Sequence, residues 1–344
     1  MRSDKDARVR RALLGWYRRS RRDLPWRATR DPYAIWVAET MLQQTQVKAV
    51  LPYYHRFLAS FPSINHLDRA RRDKVLALWS GLGYYRRAAN LKQAAREIVR
   101  RHGGKLPRNY AALRALPGVG DYTAGAVMSI AFGERYPALD ANARRVLSRI
   151  YEARDEAALK TVAARVVPRA CPGDFNQALM DLGAAVCLAR TPRCAECPIA
   201  SLCAASRGGR IAKSAAKART RKVDWPLAVI ARNGTILLRR RAERGLLAGM
   251  WEIPGGEKKP RERITEALAR ELTSAGARVA SASMIGIVHH SITDRNIRAP
   301  VYLCTLENDF PKKLPGWRWL TLAALKKLPI STLSIKAARL VQTP

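Results

Sequence analysis

Between residues 31 and 149 apolar side chains recur at three- and four-residue spacing, the period that gathers them on one face of an α-helix. The runs break at Phe61-Pro62, Gly81-Leu82-Gly83, Gly103-Gly104 and Leu116-Pro117-Gly118, where Pro and Gly end helices. No alternating apolar–polar stretch occurs there, so this half is predicted to be all helical. After Ser206-Arg207-Gly208-Gly209 large apolar residues almost vanish up to Lys222, which predicts a basic linker over 207–222. The period then changes. Residues 227–230 and 235–238 flank Asn233-Gly234, a dipeptide suited to a tight hairpin turn, and the next domain is expected to open with that hairpin. A helical pattern at 263–275 and strand-like runs at 284–288 and 301–306 make this half α+β. The predicted organisation is a helical domain over 1–206, the linker, and a second domain over 223–344. No internal repeat is apparent.

Two domains of ordinary size fit a chain of 344 residues, each able to bury its own core. Charge adds a partner to the picture. Lys and Arg number 63 against 27 Asp and Glu, a formal charge of +36, well beyond what solubility needs. A polyanion is the natural partner, although a generally basic proteome accounts for part of such a surplus. The first residues lack the apolar run of a secretory signal, and no segment reaches the roughly 20 apolar residues of a membrane span. A cytoplasmic protein without a membrane role is expected. In a reducing compartment six cysteines do not suggest a disulfide framework, and the clustering of four suggests a metal centre.

Those four are spaced Cys187-x6-Cys194-x2-Cys197-x5-Cys203, tight enough to close one loop around a metal. Ligand chemistry alone leaves tetrahedral zinc and a [4Fe–4S] cluster both open. Arg190 and Arg193 in this loop are candidates for phosphate contact, while Cys171 and Cys304 read as ordinary buried thiols. Leu116-Pro117-Gly118-Val119-Gly120 lies between two helical segments, as in a helix-hairpin-helix, where Gly118 and Gly120 would let the backbone approach a phosphate below a helix N-terminus. Standing alone it would read as a plain helix-to-helix turn. Glu39 falls inside the apolar run Ile35-Trp36-Val37-Ala38-Glu39-Thr40-Met41-Leu42, where burial would raise its pKa and fit it to donate a proton. Asp140 precedes a helical pattern, and by spacing alone it reads as an N-cap.

Taken in order, Glu39-Thr40-Met41-Leu42-Gln43-Gln44-Thr45-Gln46-Val47, Gly81-Leu82-Gly83-Tyr84-Tyr85, the hairpin, Leu139-Asp140-x-Asn142 and the cysteine spacing resemble the MutY family of helix-hairpin-helix DNA glycosylases. The resemblance covers most of the chain. It implies base-excision repair of double-stranded DNA by removal of adenine mispaired with 8-oxoguanine or guanine. It assigns the cysteines to a [4Fe–4S] cluster, and it shifts Asp140 from cap to catalysis. Glu39 would protonate adenine N7 and then help activate water, Asp140 would stabilise the positive sugar, and Asn142 would orient groups nearby. Gln43, Gln44 and Tyr84 match residues that wedge into the duplex and contact the opposite base, and Leu116, Gly118, Val119 and Gly120 the phosphate-binding hairpin. Trp26, Arg27 and Gln177 match the adenine pocket. Related glycosylases that also cut the strand carry a lysine where this chain has Tyr122. A phenol forms no Schiff base, so lyase activity is not expected, and Tyr122 would instead support the sugar intermediate.

The second half resembles the Nudix-like domain with which this family reads 8-oxoguanine. Gly249-Met250-Trp251-Glu252-Ile253-Pro254-Gly255-Gly256 and Gly256-x5-Glu262-x7-Arg270-Glu271-Leu272 keep much of the Nudix box, but Ser274 and Ala275 stand where hydrolases place magnesium-binding glutamates. Binding without hydrolysis is expected. The stretch Ser291-Ile292-Thr293-Asp294 corresponds to the family's recognition loop, with Ile292, Thr293 and Asp294 in place of its Phe-Ser-His. Three rivals remain: a strand-cutting glycosylase for oxidised pyrimidines, opposed by Tyr122; a Nudix pyrophosphatase, opposed by Ser274 and Ala275; and a non-catalytic DNA-binding protein, opposed by Glu39 and Asp140 in full motif context. A monomer is expected, the default for an enzyme that wraps a duplex.

Overall fold

The computed structural model of the chain describes residues 2–208, 220–273, 276–308, 310 and 314–341. Most of the predicted basic linker, and Ser274 with Ala275, lie outside the described residues. By contact the chain divides into two units: residues 1–69 with 90–216, and 70–89 with 217–344.

The first unit is helical throughout its described residues. Its helices start where a short polar side chain satisfies free backbone N–H groups: Asp31 accepts from Tyr33 and Ala34 ahead of Pro32–Leu42, and Asp155 accepts from Ala158 ahead of Glu156–Val166. Pro32 suits the first helical turn because its missing N–H would have had no partner there. In Pro32–Leu42 every residue from Tyr33 to Met41 is buried, as expected of a helix that is apolar all round. One core joins Val9, Leu13 and Tyr17 of the Arg2–Ser20 helix to Val146, Leu147 and Ile150 of Ala141–Tyr151 and Phe175, Leu179 and Leu182 of Pro172–Ala185. A second, smaller core holds Ile35, Ala126, Ile130 and Ala138.

Periodicity places residues 70–89 with the helical half, yet by contact they group with the second unit. Asp73 of the Arg72–Trp79 helix accepts a hydrogen bond from Arg240 at 2.7 Å, and Ser80 Oγ donates to Ile330 O at 2.7 Å. Polar links between residues so distant in sequence leave no local pattern to read.

The second unit holds two four-stranded sheets. It opens with β1 (Arg221–Asp224), not with the expected hairpin, and residues 221 and 222 thereby leave the predicted linker. β2 (Leu227–Val229) follows, and β1 and β2 both run parallel to β7 (Arg295–Leu306), whose other edge pairs antiparallel with β6 (Val279–Ile292). These two long strands absorb the shorter runs seen in sequence and meet at a turn through Thr293 and Asp294, with Ile292 opposite Arg295. The Asn233-Gly234 turn does close a hairpin, both turn residues having positive φ, but its first arm is β3 (Ala231–Arg232) and not the expected 227–230, of which 227–229 pair with β7; its second arm is β4 (Thr235–Arg240). β5 (Trp251–Glu252) and β8 (Trp317–Thr321) also pair with β4. The Thr332–Arg339 helix contributes Leu333, Ala337 and Ala338 to one core, and Ile264–Thr273 contributes Leu268 and Leu272 to the other.

Candidate active site

Glu39 sits near the C-terminal end of the Pro32–Leu42 helix with 5% of its surface exposed. Tyr122, the second residue of Asp121–Ile130, donates its hydroxyl to Glu39 Oε2 at 2.5 Å. Burial pushes the Glu39 carboxyl up to about 7; the Tyr122 hydrogen bond opposes this, the neighbouring Asp140 adds to it, and Arg27 opposes it. Burial and the adjoining carboxylate push the Tyr122 hydroxyl well above its ordinary value, so it stays protonated as a donor. Met180 Sδ, on the Pro172–Ala185 helix, lies 3.8 Å from the same hydroxyl.

Asp140 is the N-cap that its spacing suggests: Oδ1 accepts from Ala143 N at 2.6 Å, while Oδ2 accepts from Asn142 Nδ2 at 3.0 Å. The cap does not remove it from the site, because its charge acts on both Glu39 and Tyr122. Burial raises the Asp140 carboxyl, and the Ala143 and Asn142 hydrogen bonds pull it back toward ionisation. Asn142 Oδ1 in turn accepts from Arg145 Nη2 at 2.8 Å, and Arg145 Nε donates to Cys187 O at 2.8 Å. A Cβ on Gly183 would stand 2.6 Å from that of Asn142, so only glycine lets the Pro172–Ala185 helix press this closely on the site.

The other predicted residues divide into those near this group and those apart from it. Arg27 acts electrostatically on Glu39, and its guanidinium lies 5.4 Å from the Tyr17 ring centroid. Trp26 is buried and meets Tyr54 edge to face, a core contact. Gln177 is buried, and Nε2 donates to Gly173 O of its own helix at 3.4 Å. Gln43 Nε2 donates to Thr123 Oγ1 at 3.0 Å, next to Tyr122, while Gln44 is exposed with a φ of 57°. Tyr84 is 45% exposed with a φ of 49°, and the Arg87 guanidinium lies over its ring. In the hairpin Leu116 and Val119 are buried, Gly118 has a φ of 76°, and Gly120 is the N-cap of Asp121–Ile130, with no side-chain cap on that helix's first-turn N–H groups among the described residues.

Cys187, Cys194, Cys197 and Cys203 line one pocket together with Arg149. Burial pushes Cys197 up to about 11, and the other three thiols each push it further. Four thiolates in such proximity need a compensating positive charge, which iron supplies. Four convergent thiols beside Arg149 fit a thiolate-held metal centre, a donor set that tetrahedral zinc and a [4Fe–4S] cluster share. Arg149 Nη1 donates to Cys187 Sγ at 3.2 Å and to Leu188 O at 2.7 Å. Cys304 is buried as expected, whereas Cys171 is partly exposed where the chain enters the Pro172–Ala185 helix.

In the second unit the carboxylates of the Nudix-like box are taken by arginines. Glu252 is 4% exposed and accepts from both Arg239 and Arg241, Glu271 pairs with Arg239 and Arg270, and Glu262 with Arg270. The hairpin tip exposes Ser291, Thr293 and Asp294, with Ile292 half-buried. Thr293 has a φ of 53° and its hydroxyl donates to Asp294 at 2.9 Å.

Sequence reasoning missed Asp181, Arg145 and Arg149. Asp181 carried the same signal as Glu39, an acid inside an apolar helical run, but no motif drew attention to it. The two arginines are one helical turn apart, so both face the cysteine loop, a relation that emerges only once the partner segment is known.

Comparison with known proteins places this geometry. Residues 37–168 match the HhH-GPD superfamily base excision DNA repair proteins, 187–203 the iron–sulfur binding domain of endonuclease III, and 227–339 the NUDIX domain. An adenine DNA glycosylase of Rattus norvegicus is 35% identical over 97% of this chain and 78% of its own length. That of Homo sapiens is 34% identical over 96% and 73%. Among solved structures, a thermostable thymine-DNA glycosylase superposes with a TM-score of 0.57 at 34% identity, covering 60% of this chain and 98% of that one. A trapped endonuclease III–DNA covalent intermediate, at 22% identity, shares the fold over 59% of this chain and 98% of its own, with a TM-score of 0.52.

Proposed function

The chain belongs to the adenine DNA glycosylase family, base-excision repair enzymes that hydrolyse N-glycosyl bonds and carry a [4Fe–4S] cluster, and we propose that it removes adenine paired with 8-oxoguanine or guanine without cutting the strand. The observation that carries the proposal is the buried Glu39, joined to Tyr122 and in the field of Asp140, with its carboxyl pushed up to about 7. At neutral pH such a group holds a proton for part of the time and can also take one back, as a general acid–base needs.

The adenine is first swung out of the duplex, since a buried carboxyl cannot reach a stacked base. Glu39 then gives its proton to N7. The C1′–N9 bond breaks with its electron pair going to N9, so the base leaves neutral rather than as an anion. Asp140, whose two hydrogen bonds favour its carboxylate form against the burial that raises it, faces the positive charge left on the sugar. Water adds at C1′ and its proton returns to Glu39, which restores the starting state. Tyr122 holds Glu39 by Oε2 and leaves Oε1 for the base. Arg27 and Gln177 are the polar groups assigned to the adenine edge, with Trp26 packing behind them. The cluster, when bound by Cys187, Cys194, Cys197 and Cys203, ties the loop that carries Arg190 and Arg193 to the helices beneath.

Tyr122 supports the absence of lyase activity: a protonated phenol bonded to Glu39 offers no amine to the sugar. Gln43, Gln44 and Tyr84 are assigned to the gap and the opposite base, and the Ser291–Asp294 tip to reading that base, with Thr293 retaining a hydroxyl. The arginine-paired Glu252, Glu262 and Glu271 favour a Nudix-like domain that binds without hydrolysis. Thiolates destined for a cluster suit the reducing cytoplasm, and we assign the protein there as a monomer.

Single-turnover excision on duplexes carrying adenine opposite 8-oxoguanine, adenine opposite guanine, or an oxidised pyrimidine tests the reading. Breakage of the adenine strand only after alkali, fastest opposite 8-oxoguanine, is expected. Cutting at the oxidised pyrimidine without alkali would refute it.

A further inference from the structure

Asp181 is buried on the Pro172–Ala185 helix, and each of its oxygens holds a different guanidinium. Arg27 Nη1 donates to Oδ2 at 2.8 Å, and Arg22 Nη2 donates to Oδ1. The two cations differ in exposure: the Arg27 side chain is 10% exposed and that of Arg22 46%. Arg27 Nη1 also donates to Arg22 O at 3.2 Å, and the Tyr17 ring lies against the guanidinium. Its Nε is enclosed and has no hydrogen-bond partner among the described residues. A buried N–H without a protein acceptor is disfavoured unless water or a ligand brings one.

We propose that Asp181 is a positioning residue for base excision, fixing Arg27 with its Nε left as a donor for the extruded base and tempering the field of that cation at Glu39. The proposal rests on Glu39 being the proton donor to adenine. Arginine stays charged wherever it is buried, so its effect on Glu39 depends on what opposes it. Around Glu39 stand Tyr122 on Asp121–Ile130, Asp140 at the cap of Ala141–Tyr151, and Arg27 on the short helical turn Pro25–Arg27. Behind Arg27 stand Asp181, Arg22, and Tyr17 of the Arg2–Ser20 helix, whose hydroxyl burial pushes up to about 12 and so keeps neutral; Asp174 and Arg21 lie near that ring. Asp181 is the carboxylate bonded to Arg27, and it divides its charge between Arg27 and Arg22.

Weakening Asp181 therefore leaves Arg27 more strongly positive at Glu39, which favours the carboxylate and draws its proton off at lower pH. Removing Arg22 does the reverse, because the whole Asp181 charge then serves Arg27. These opposite signs separate an electrostatic role from a merely structural one.

The experiment is the pH dependence of single-turnover adenine excision by the full chain. Excision is high below the pH at which Glu39 loses its proton and falls above it. Asp181→Asn should move that descending limb down by a few tenths of a pH unit, roughly a twofold loss at a fixed pH on the limb and little change below it. Arg22→Gln should move it upward, and because Arg22 is half exposed this variant decides the matter even where Asp181→Asn does not fold. Limbs that stay at the wild-type position, whatever the overall rate, or that move in the same direction in both variants, would overturn the proposal. No adenine excision by the wild-type chain would overturn the reading beneath it and the proposal together.

Discussion

The Tyr122 hydroxyl donates to Glu39 Oε2 across 2.5 Å, joining two helices whose contacting residues stand 83 apart in the chain. This hydrogen bond favours the ionised carboxylate and so opposes the burial that raises it. Tyr122→Phe should therefore shift the descending limb of the excision profile to higher pH while lowering the maximal rate, because Glu39 is also less firmly held. A limb that moves to lower pH would show that the bond does not favour the carboxylate.

Glu39→Gln keeps the shape of the side chain and removes the transferable proton. Single-turnover excision should fall by about 10²–10⁴, the contribution usual for general acid–base catalysis. Duplex affinity should hold, since Glu39 is buried and its carboxyl is none of the groups assigned to phosphate. Fluorescence anisotropy on an uncleavable duplex measures the second quantity, and excision at near wild-type rate would remove Glu39 from its role.

The same carboxyl has a consequence for stability. Its folded value, about 7, lies above the ordinary 4.5, so the folded chain keeps a proton that the unfolded chain releases between those values. Stability must fall as pH rises through that window, and above about pH 7 the full cost is roughly 3 kcal/mol. Glu39→Gln should be the more stable protein at about pH 8, with the difference largely gone near pH 4.5. Urea unfolding midpoints at the two pH values measure this, and a difference independent of pH would mean that the raised value is absent in solution.

Glu39 was legible because a carboxylate inside an apolar helical run has few physical excuses, and the cysteine loop because its spacing is short and complete. Asp140 was legible from its spacing as a cap, and the structure has that cap, with the carboxyl also acting on Glu39 and Tyr122, a relation that spacing does not carry. The bond between Tyr122 and Glu39 was not legible, since periodicity reports which face of a helix is buried and says nothing of which distant helix covers it. β1 was missed for a related reason: a short strand that pairs in parallel with β7 has no hairpin turn joining it to its partner and begins among basic residues. The pairing of the Nudix-like glutamates with arginines also depends on cross-strand register, as between Arg239 on β4 and Glu252 on β5.

That pairing predicts no pyrophosphatase activity. A magnesium ion needs carboxylate oxygens free to face it, whereas Glu252 accepts from Arg241 at 2.7 Å and Glu262 from Arg270 at 2.8 Å. The wild-type chain with magnesium should release no detectable phosphate or pyrophosphate from nucleoside triphosphates, 8-oxo-dGTP included. Hydrolysis that co-purifies with the chain and responds to Glu262→Gln would contradict this.

The hairpin offers two glycines with different physical demands. Gly118 has a φ of 76°, and a Cβ there would stand 2.7 Å from Asn90 Cβ, so Gly118→Ala brings backbone strain and a clash together. It should cost about 1–3 kcal/mol of stability. Gly120 has a φ of −91° and open space around a would-be Cβ, so Gly120→Ala should fold as stably as the wild type. It caps the helix whose first N–H groups are assigned to a phosphate, and an added methyl there would hold the phosphate off. Gly120→Ala should accordingly weaken binding to every duplex, matched or mismatched, by a similar factor, because the contact is to the backbone and not to the bases. Thermal unfolding and titrations with paired matched and mismatched duplexes separate the two effects. Unchanged affinity in a fully folded Gly120→Ala would mean that the hairpin makes no close contact with the DNA backbone.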